Sequence, residues 1–534
     1  MSASSTKQTG AWDDKTDQFD LVARNVLMNY TVMAVEMVIG VLLLPFNIAH
    51  LGKSAYGLLV LAASVTIYFS MLDLGYGDAQ VKFAALYRAR RDSTALNKIV
   101  STLFFVFTGI GLIAFGIAVL IAFNMQNIFN LNAEQAATGR KVLLIVSTYV
   151  ALGFPFSVFG GIVNGFQRNY VNGVVAIVTS VVAAVVNIAV LLAGYGIVAM
   201  VAATTGVRIL SYLVYRMNAY RVFPMLRIRP RHFSRKHLKE VTGFSTYLLI
   251  IDLANKINYS TDTLVIGAFL NTAVIATWTV AQRLADTTQR LTGQLNGALF
   301  PVIVDNATVG ENDRLRLMFV QGTRLSLAMV LLFATGMIVL ARPVVLVWVG
   351  PQFLESIPVI YILSAVVAIR VGNSTATTLL KGAEGHRLLA FSNISIAIAN
   401  LVLSILLVRW YGTVGVALGT LIPLGCISIF ILFPAACRRV EISIRQAARE
   451  AIWPAVWPAI LTALFLSLTN QIAGAHALLI LLQSISAALL YAGIFLLLAT
   501  PRDERQWYLD KATRLIKRPT LAQATPIVEE VSQA

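Results

Sequence analysis

The sequence predicts an all-α polytopic membrane protein with fourteen transmembrane helices, and three observations predict it. Of the 534 residues, 57% are hydrophobic and only 13% charged, with a mean hydropathy of +0.76; a soluble domain carries about 25% charged residues. Fourteen apolar runs of roughly 20 residues, the length of a bilayer crossing, follow one another along the chain. The net charge of +17 is concentrated in alternate loops. Together these exclude a soluble globular protein and leave no room for a separate catalytic domain.

The runs lie near residues 25–48, 56–80, 96–123, 141–163, 171–193, 197–217, 244–269, 274–299, 319–341, 358–380, 388–408, 414–434, 452–468 and 477–499. Lipid offers no partner to a backbone N–H or C=O, so runs of this length must be helices, because barrel strands are shorter and alternate. Asp13, Asp14, Asp17 and Asp20 precede the first run. A cleaved signal peptide starts with basic residues instead, so the first helix is expected to stay. Cys426 and Cys437, the two cysteines, fall on one predicted helix, too far apart for a disulfide.

Placing the loops on alternating sides puts thirty-one Lys and Arg on one side and five on the other, the five being Lys53, Arg140, Lys141, Arg342 and Arg409. Cytoplasmic loops carry the basic excess, so both termini and the basic central loop are expected to be cytoplasmic. Topology thus accounts for the positive charge, with anionic membrane lipids as partners and no nucleic acid.

Asn164-Gly165 and Tyr195-Gly196 recur about 217 residues later as Lys381-Gly382 and Tyr411-Gly412. Six crossings return the chain to its starting side, so this repeat implies two parallel six-helix lobes, an arrangement suited to alternating access. The expected organisation is a cytoplasmic tail (1–23), an N-lobe (24–219), a basic linker (220–243), a C-lobe (244–437), two extra helices (438–499) and a basic tail (500–534).

Twelve ionisable residues fall within the runs: Glu36, Asp73, Asp78, Arg208, Asp252, Lys256, Asp262, Arg283, Asp286, Arg290, Arg324 and Arg370. Facing lipid, each would cost about 2.5–3.5 kcal/mol, so most must meet protein, the interface or water. The eighth run is the most polar. Arg283, Asp286, Arg290 and Gln294 share one helical face at i, i+3, i+7 and i+11, flanked by Gln282, Gln289 and Asn296. Such a stripe reads as cavity lining, with guanidinium forks matched to phosphate oxygens; a structural Asp286–arginine network fits the same spacing. Asp252 and Lys256 stand at ion-pair spacing. Glu36 and Lys256, about 220 apart, are expected to face each other between the lobes as a gating pair or as a static one, with Asp73 and Asp252 in the same coupling group. Arg24, Arg208, Arg324 and Arg370 could extend the cationic surface; for Arg24 and Arg324, snorkelling to head groups is the expected role.

The five histidines are scattered, so no metal site or catalytic triad is expected. Gly415 and Gly419 have the spacing of close helix packing. Trp278, Trp348, Trp410, Trp453 and Trp457 near span ends suit an interfacial belt.

Leu51-Gly52-Lys53-Ser54-Ala55-Tyr56-Gly57, followed by Leu72-Asp73-Leu74-Gly75-Tyr76-Gly77, resembles the opening of Wzx-type polysaccharide flippases of the multidrug, oligosaccharidyl-lipid and polysaccharide exporter superfamily. The stretch from Gly161 to Arg168 is similar to that family's fourth-span ending, and Thr261 to Gly267 to the start of its second half. The resemblance implies a V-shaped pair of lobes in a bacterial inner membrane. It implies a cationic cavity for the sugar and diphosphate of an undecaprenyl-linked oligosaccharide, moved from the cytoplasmic to the outer leaflet. It also implies drive by H+, Na+ or membrane potential, and work beside polysaccharide polymerase machinery.

The expected function is therefore a lipid-linked oligosaccharide flippase rather than an enzyme, with no cofactor. Substrate contacts are expected from Arg283, Asp286, Arg290, Gln294, Lys256 and Arg370. A lipid II flippase and a multidrug or cation antiporter of the same superfamily are the alternatives; a membrane glycosyltransferase or polymerase is disfavoured by the lack of a sizeable external loop.

Overall fold

The computed structural model describes residues 18–73, 75–242, 261–292, 294–309, 311–382, 386–473, 476–501 and 504–506. Among them the secondary structure is helical throughout, with no strand. Ten segments among the described residues are long and apolar enough to cross a membrane. Two of these, α1 (Gln18–Phe69) and α13 (His386–Ile427), are pairs of helices joined at Gly52 (φ 78°) and Gly412 (φ 57°). Only glycine takes a positive φ at little cost, so these residues end one helix and begin the next without a loop.

In the first half α1 is followed by α2 (Tyr76–Ala89), α3 (Ser93–Phe123), α4 (Ala133–Gly165), α5 (Asn169–Leu192) and α6 (Ile197–Val222). Polar side chains set where these helices begin. Asp92 accepts from the Ala95 N–H at 2.8 Å to start α3, and Asn132 and Gln135 form a reciprocal capping box at the start of α4. In the second half α7 (261–269), α8 (Thr272–Thr292), α9 (Gln294–Val309), α10 (Asn312–Val339), α11 (Ile357–Gly372), α12 (Ser374–Gly382) and α13 repeat the pattern. The sequence repeat has a structural counterpart. Gly165 ends α4 against Ala84, and Gly382 ends α12 against Ile303.

The two extra helices, α14 (Trp453–Ala473) and α15 (Ala477–Ile494), pack on α10 through Ala328, Ala455, Ala459, Tyr491 and Phe495. Arg324 of α10 is not at the lipid interface as expected. It is 6% exposed, donates to the Glu450 carbonyl at 2.8 Å and pairs with Glu504 at 2.8 Å. A half-buried carboxylate satisfies the guanidinium, so snorkelling is unnecessary. Trp278 likewise leaves the expected belt: it is 1% exposed, with its indole N–H on Gln282 Oε1 at 3.0 Å. Trp410 and Trp453 are exposed, as an interfacial belt requires.

The basic stretch after α6 is folded onto the first half. Asn97 of α3 donates to the Met225 carbonyl at 3.0 Å and accepts from the Arg227 N–H at 2.7 Å. Thr102 accepts from the Ser234 N–H at 3.0 Å.

Missing side chains set the closest approach of the two halves. A Cβ on Gly57 of α1 would stand 1.7 Å from the Thr272 carbonyl oxygen at the start of α8, and one on Gly267 would stand 2.6 Å from Leu61. Gly57→Val should therefore lower the melting temperature of the purified protein, at a cost of about 1–3 kcal/mol for overpacking, whereas Gly116→Ala, with no neighbour within 4 Å, should not. Equal melting temperatures for both variants and wild type would contradict this packing.

Candidate functional site: a polar cavity between the halves

A cavity of about 690 Å³ lies between both limbs of α1, α4, α5 and α6 on one side and α7 and α8 on the other. Its charged lining comes from Glu36 of α1, Arg208 of α6, and Arg283 and Asp286 of α8. Asn47, Tyr56, Tyr149, Asn187 and Gln282 add polar and aromatic surface. Two cations and two carboxylates balance, so this lining is not the cationic one that the family resemblance implies. The positive excess lies beside it, in Arg290 and Arg370.

Residues singled out from spacing are placed as follows. Arg283 lies against Gly40 of α1, whose Cβ would meet the guanidinium at 3.0 Å, and next to the Tyr56 hydroxyl. Absence of a side chain at residue 40 is what admits the guanidinium between the helices. Asp286 is exposed although it sits mid-helix, and it has Arg283, Arg290 and Arg370 as electrostatic neighbours. Among the described residues it makes no direct ion pair with Arg283 or Arg290. Arg290 is exposed. Arg370, from α11, donates to Gln289 at 3.0 Å and is electrostatically coupled to both Asp262 and Asp286.

The stripe is interrupted where α8 ends at Thr292 and α9 begins at Gln294, and the Gln294 side chain lies outside the described residues. So do Asp252 and Lys256, and with them the Glu36–Lys256 pair. Glu36 itself is exposed into the cavity. Asp73 is in a 3-10 turn before α2, where its carboxylate accepts from the Gly77 N–H at 3.3 Å. Arg24 stacks on the Tyr170 ring, 4.4 Å from its centroid.

Three features escape single-helix spacing because each joins residues far apart in sequence. The first is Asp262 of α7, which accepts from the Thr420 hydroxyl at 3.2 Å while Asn400 donates to Thr420 at 2.7 Å. The second is the amide pair Asn47 and Asn187, buried in the cavity wall. The third is a latch at the end opposite the basic loops. There Lys53 donates to the Gln352 carbonyl and lies 4.5 Å from the Phe353 ring centroid. Beside it, Gln135 donates to Ser54 at 2.8 Å, Ser54 and Thr272 hydroxyls are 3.0 Å apart, and the Asn130 N–H reaches the Gly267 carbonyl at 3.0 Å. Deeper in, Trp348 donates to the Val41 carbonyl at 2.9 Å.

At the basic end a separate pocket of about 470 Å³ is lined by Tyr87, Arg90, Lys236, His237, Lys239 and Glu240. Burial, opposed by Glu240 and aided by Lys98 and Lys236, holds the His237 imidazole below its ordinary pKa.

Helices bundled in two similar halves around a charged mid-membrane cavity define a multi-pass transporter fold, and comparison with known proteins agrees. The chain belongs to the polysaccharide biosynthesis protein family, whose model matches residues 50–358. It is 20% identical over 344 residues to the uncharacterized membrane protein EpsK of Bacillus subtilis (strain 168), covering 63% of this chain and 67% of that one. Its fold is similar to that of the lipid II flippase MurJ in an inward closed conformation, with a TM-score of 0.68 and 17% identity over 88% of this chain and 98% of that one. It is also similar to a multidrug resistance MATE family transporter of the MOP superfamily in an inward-facing conformation, with a TM-score of 0.58 and 15% identity, covering 77% and 94% of the two chains.

The latch makes a cross-link prediction. In a background lacking Cys426 and Cys437, Ser54→Cys with Thr272→Cys should form a disulfide under mild oxidant, read as altered mobility after cleavage at an introduced site between the halves. The paired hydroxyls bring the two side chains close enough for a cross-link to be formed with small adjustment; failure to cross-link in intact membranes would show that the halves are not held together here.

Proposed function

We propose that the protein is a flippase that moves an undecaprenyl-diphosphate-linked oligosaccharide from the cytoplasmic to the outer leaflet of a bacterial inner membrane, for capsule, exopolysaccharide or O-antigen assembly. The observation that carries this reading is the Arg283 guanidinium in a mid-membrane cavity, with Arg290 and Arg370 gathered near the same carboxylate, Asp286. A diphosphate crossing hydrocarbon unaided would pay the desolvation of its charges. Guanidinium forks replace that hydration with bidentate, charge-assisted hydrogen bonds. The lipid tail needs no such site, because it stays in the bilayer.

Alternating access supplies the movement. Both termini and the basic loops take the cytoplasmic side, so the Lys53, Ser54 and Thr272 latch closes the outer end and the cavity receives substrate from within. Opening requires those few hydrogen bonds and the Gly57–Thr272 contact to part. Gln294 and Lys256 belong to the substrate-binding group, and Glu36, Asp73, Asp252 and Lys256 to the coupling group. H+ or Na+ is the proposed coupling ion, with the membrane potential as the other source of drive. Asp262 is the proposed seat of that ion, being a carboxylate within membrane-spanning helices beside the Thr420 hydroxyl and the Asn400 amide. Partner polymerase machinery would then receive the flipped product.

A second reading, a multidrug or cation antiporter, draws on Glu36 and Asp286, two carboxylates able to hold a cation in the same cavity. Lipid II is the alternative cargo for a flippase.

Deleting the gene should cause a lipid-linked saccharide to accumulate on the inner leaflet, identified by mass spectrometry of extracted lipids; accumulated lipid II would move the assignment to cell-wall synthesis. Arg283→Gln and Arg290→Gln should each lower polymer export roughly 10-fold or more, the scale of a lost charged hydrogen bond. Undiminished export, with drug efflux also barely changed, would favour the antiporter. For the ion, Asp262→Asn should abolish the dependence of export on an imposed H+ or Na+ gradient while leaving protein levels unchanged; retained dependence would remove Asp262 from coupling.

A further inference from the structure

Tyr149 of α4 ends an aromatic stack at the cavity wall. Tyr149 and Phe156 are seven residues apart on one face of α4, a rise of about 10.5 Å. The Tyr212 ring of α6 is 5.3 Å from each of them, at interplanar angles of 2° and 21°. The two spacings span that rise, so Tyr212 is inserted between the pair and covers one face of Tyr149. Its hydroxyl donates to the Tyr149 carbonyl at 3.0 Å. Gly153 leaves room for that hydroxyl, from which a Cβ at residue 153 would stand 2.6 Å. Behind Phe156, at 5.7 Å, is the buried Phe159 ring. The Tyr149 ring is thus fixed from behind.

Its other face is turned away from Tyr212. Among the described residues Tyr149 meets no second ring, it is half-buried, and it borders the cavity together with Arg208 and Glu36. The Arg208 guanidinium is 5.9 Å from the ring centroid, at the outer limit of a cation–π contact. Arg24, by contrast, closes to 4.4 Å on Tyr170, and Arg140 to 4.7 Å on Phe123. Arg208 therefore stands at the rim of the Tyr149 ring and does not cap it. Glu36 belongs to the same patch, because Tyr215, three residues after Tyr212, has both Tyr149 and Glu36 as electrostatic neighbours. Arg208 and Glu36 are exposed, and among the described residues neither forms an ion pair. Charges left unpaired at this depth require water or a polar ligand.

We propose that Tyr149, with Arg208 and Glu36 beside it, is a stacking platform for a neutral pyranose ring of the cargo. This rests on the flippase reading of the cavity and adds to it the residues that hold the saccharide. The C–H groups of a sugar rest on the electron-rich face of an aromatic ring, while its hydroxyls accept from a guanidinium and donate to a carboxylate. A phosphate would use the guanidinium alone and be repelled by Glu36. Glu36 and Gly40, where Arg283 packs, are one turn apart on α1, about 6 Å. A diphosphate held at Arg283 therefore has its first sugars within reach of the ring.

The test uses the full-length purified protein in nanodiscs and two probes: undecaprenyl diphosphate, and the same lipid diphosphate linked to chitobiose, a neutral di-acetamido disaccharide. Wild type should bind the chitobiose lipid roughly 5-fold or more tightly than the bare diphosphate, the scale of one aromatic contact with its flanking hydrogen bonds. Tyr149→Leu should erase that difference and leave the affinity for undecaprenyl diphosphate unchanged, whereas Tyr149→Phe, which keeps the ring, should retain the preference. Tyr149→Trp gives a second readout: its fluorescence should change when the chitobiose lipid is added, beyond the change seen with wild type and with the bare diphosphate. The platform is overturned by equal wild-type affinity for both probes, by a preference that survives Tyr149→Leu or is lost equally in Tyr149→Phe, by an equal loss of both affinities in Tyr149→Leu, or by a silent Tyr149→Trp variant. Failure of the flippase reading looks different: undecaprenyl diphosphate would not bind wild type, or Arg283→Gln would leave its binding intact.

Discussion

A charged side chain in a membrane-spanning helix persists only where water or an opposite charge replaces its hydration, and this constraint organises the molecule. α8 carries Arg283, Asp286 and Arg290 along one face, so that face cannot meet lipid. The protein meets the requirement by leaving a cavity between its halves, into which Arg283 and Asp286 project, and by placing glycine at residue 40 so that the guanidinium fits against the first helix. Arg324 faces the same constraint elsewhere and is answered differently, by direct bonds to Glu504 and a backbone carbonyl. Two arginines, one facing a cavity and one tied to a carboxylate, separate a site from a structural tie.

Attachment of the halves follows from small residues. Gly57 and Gly267 allow the outer limbs of α1, α7 and α8 to approach at backbone distance, and the hydrogen bonds around Lys53, Ser54 and Gln135 lie within that same region. A bundle joined tightly at one end around a polar cavity is the geometry that a two-state transporter needs.

Much of the architecture was legible in the chain because hydrocarbon imposes a one-dimensional rule: a run of roughly 20 apolar residues must be a helix. The breaks between runs near Gly52 and Gly412 and the repeated steps at Gly165 and Gly382 express local backbone chemistry, whereas the caps at Asp92 and Asn132 are invisible to hydropathy and emerged only with the structure. The polar face of α8 was equally legible, since periodicity alone aligns Arg283 with Asp286 and Arg290. Trp278 and Arg324 were misplaced for one shared reason. Position near a span end suggests the interface, but Gln282 or Glu504 can satisfy the same polar atom inside the protein, and nothing in local sequence announces that partner.

The sequence by itself determined the membrane environment, the helical elements, the charge asymmetry between faces and the residues too polar to touch lipid, because these depend on composition and on periodicity within one helix. Only the tertiary structure decided which polar residues share a cavity. The Asp262, Asn400 and Thr420 group, the Asn47 and Asn187 pair, and the Lys53 latch each join helices tens to hundreds of residues apart, and their geometry exists only once packing has set those helices side by side.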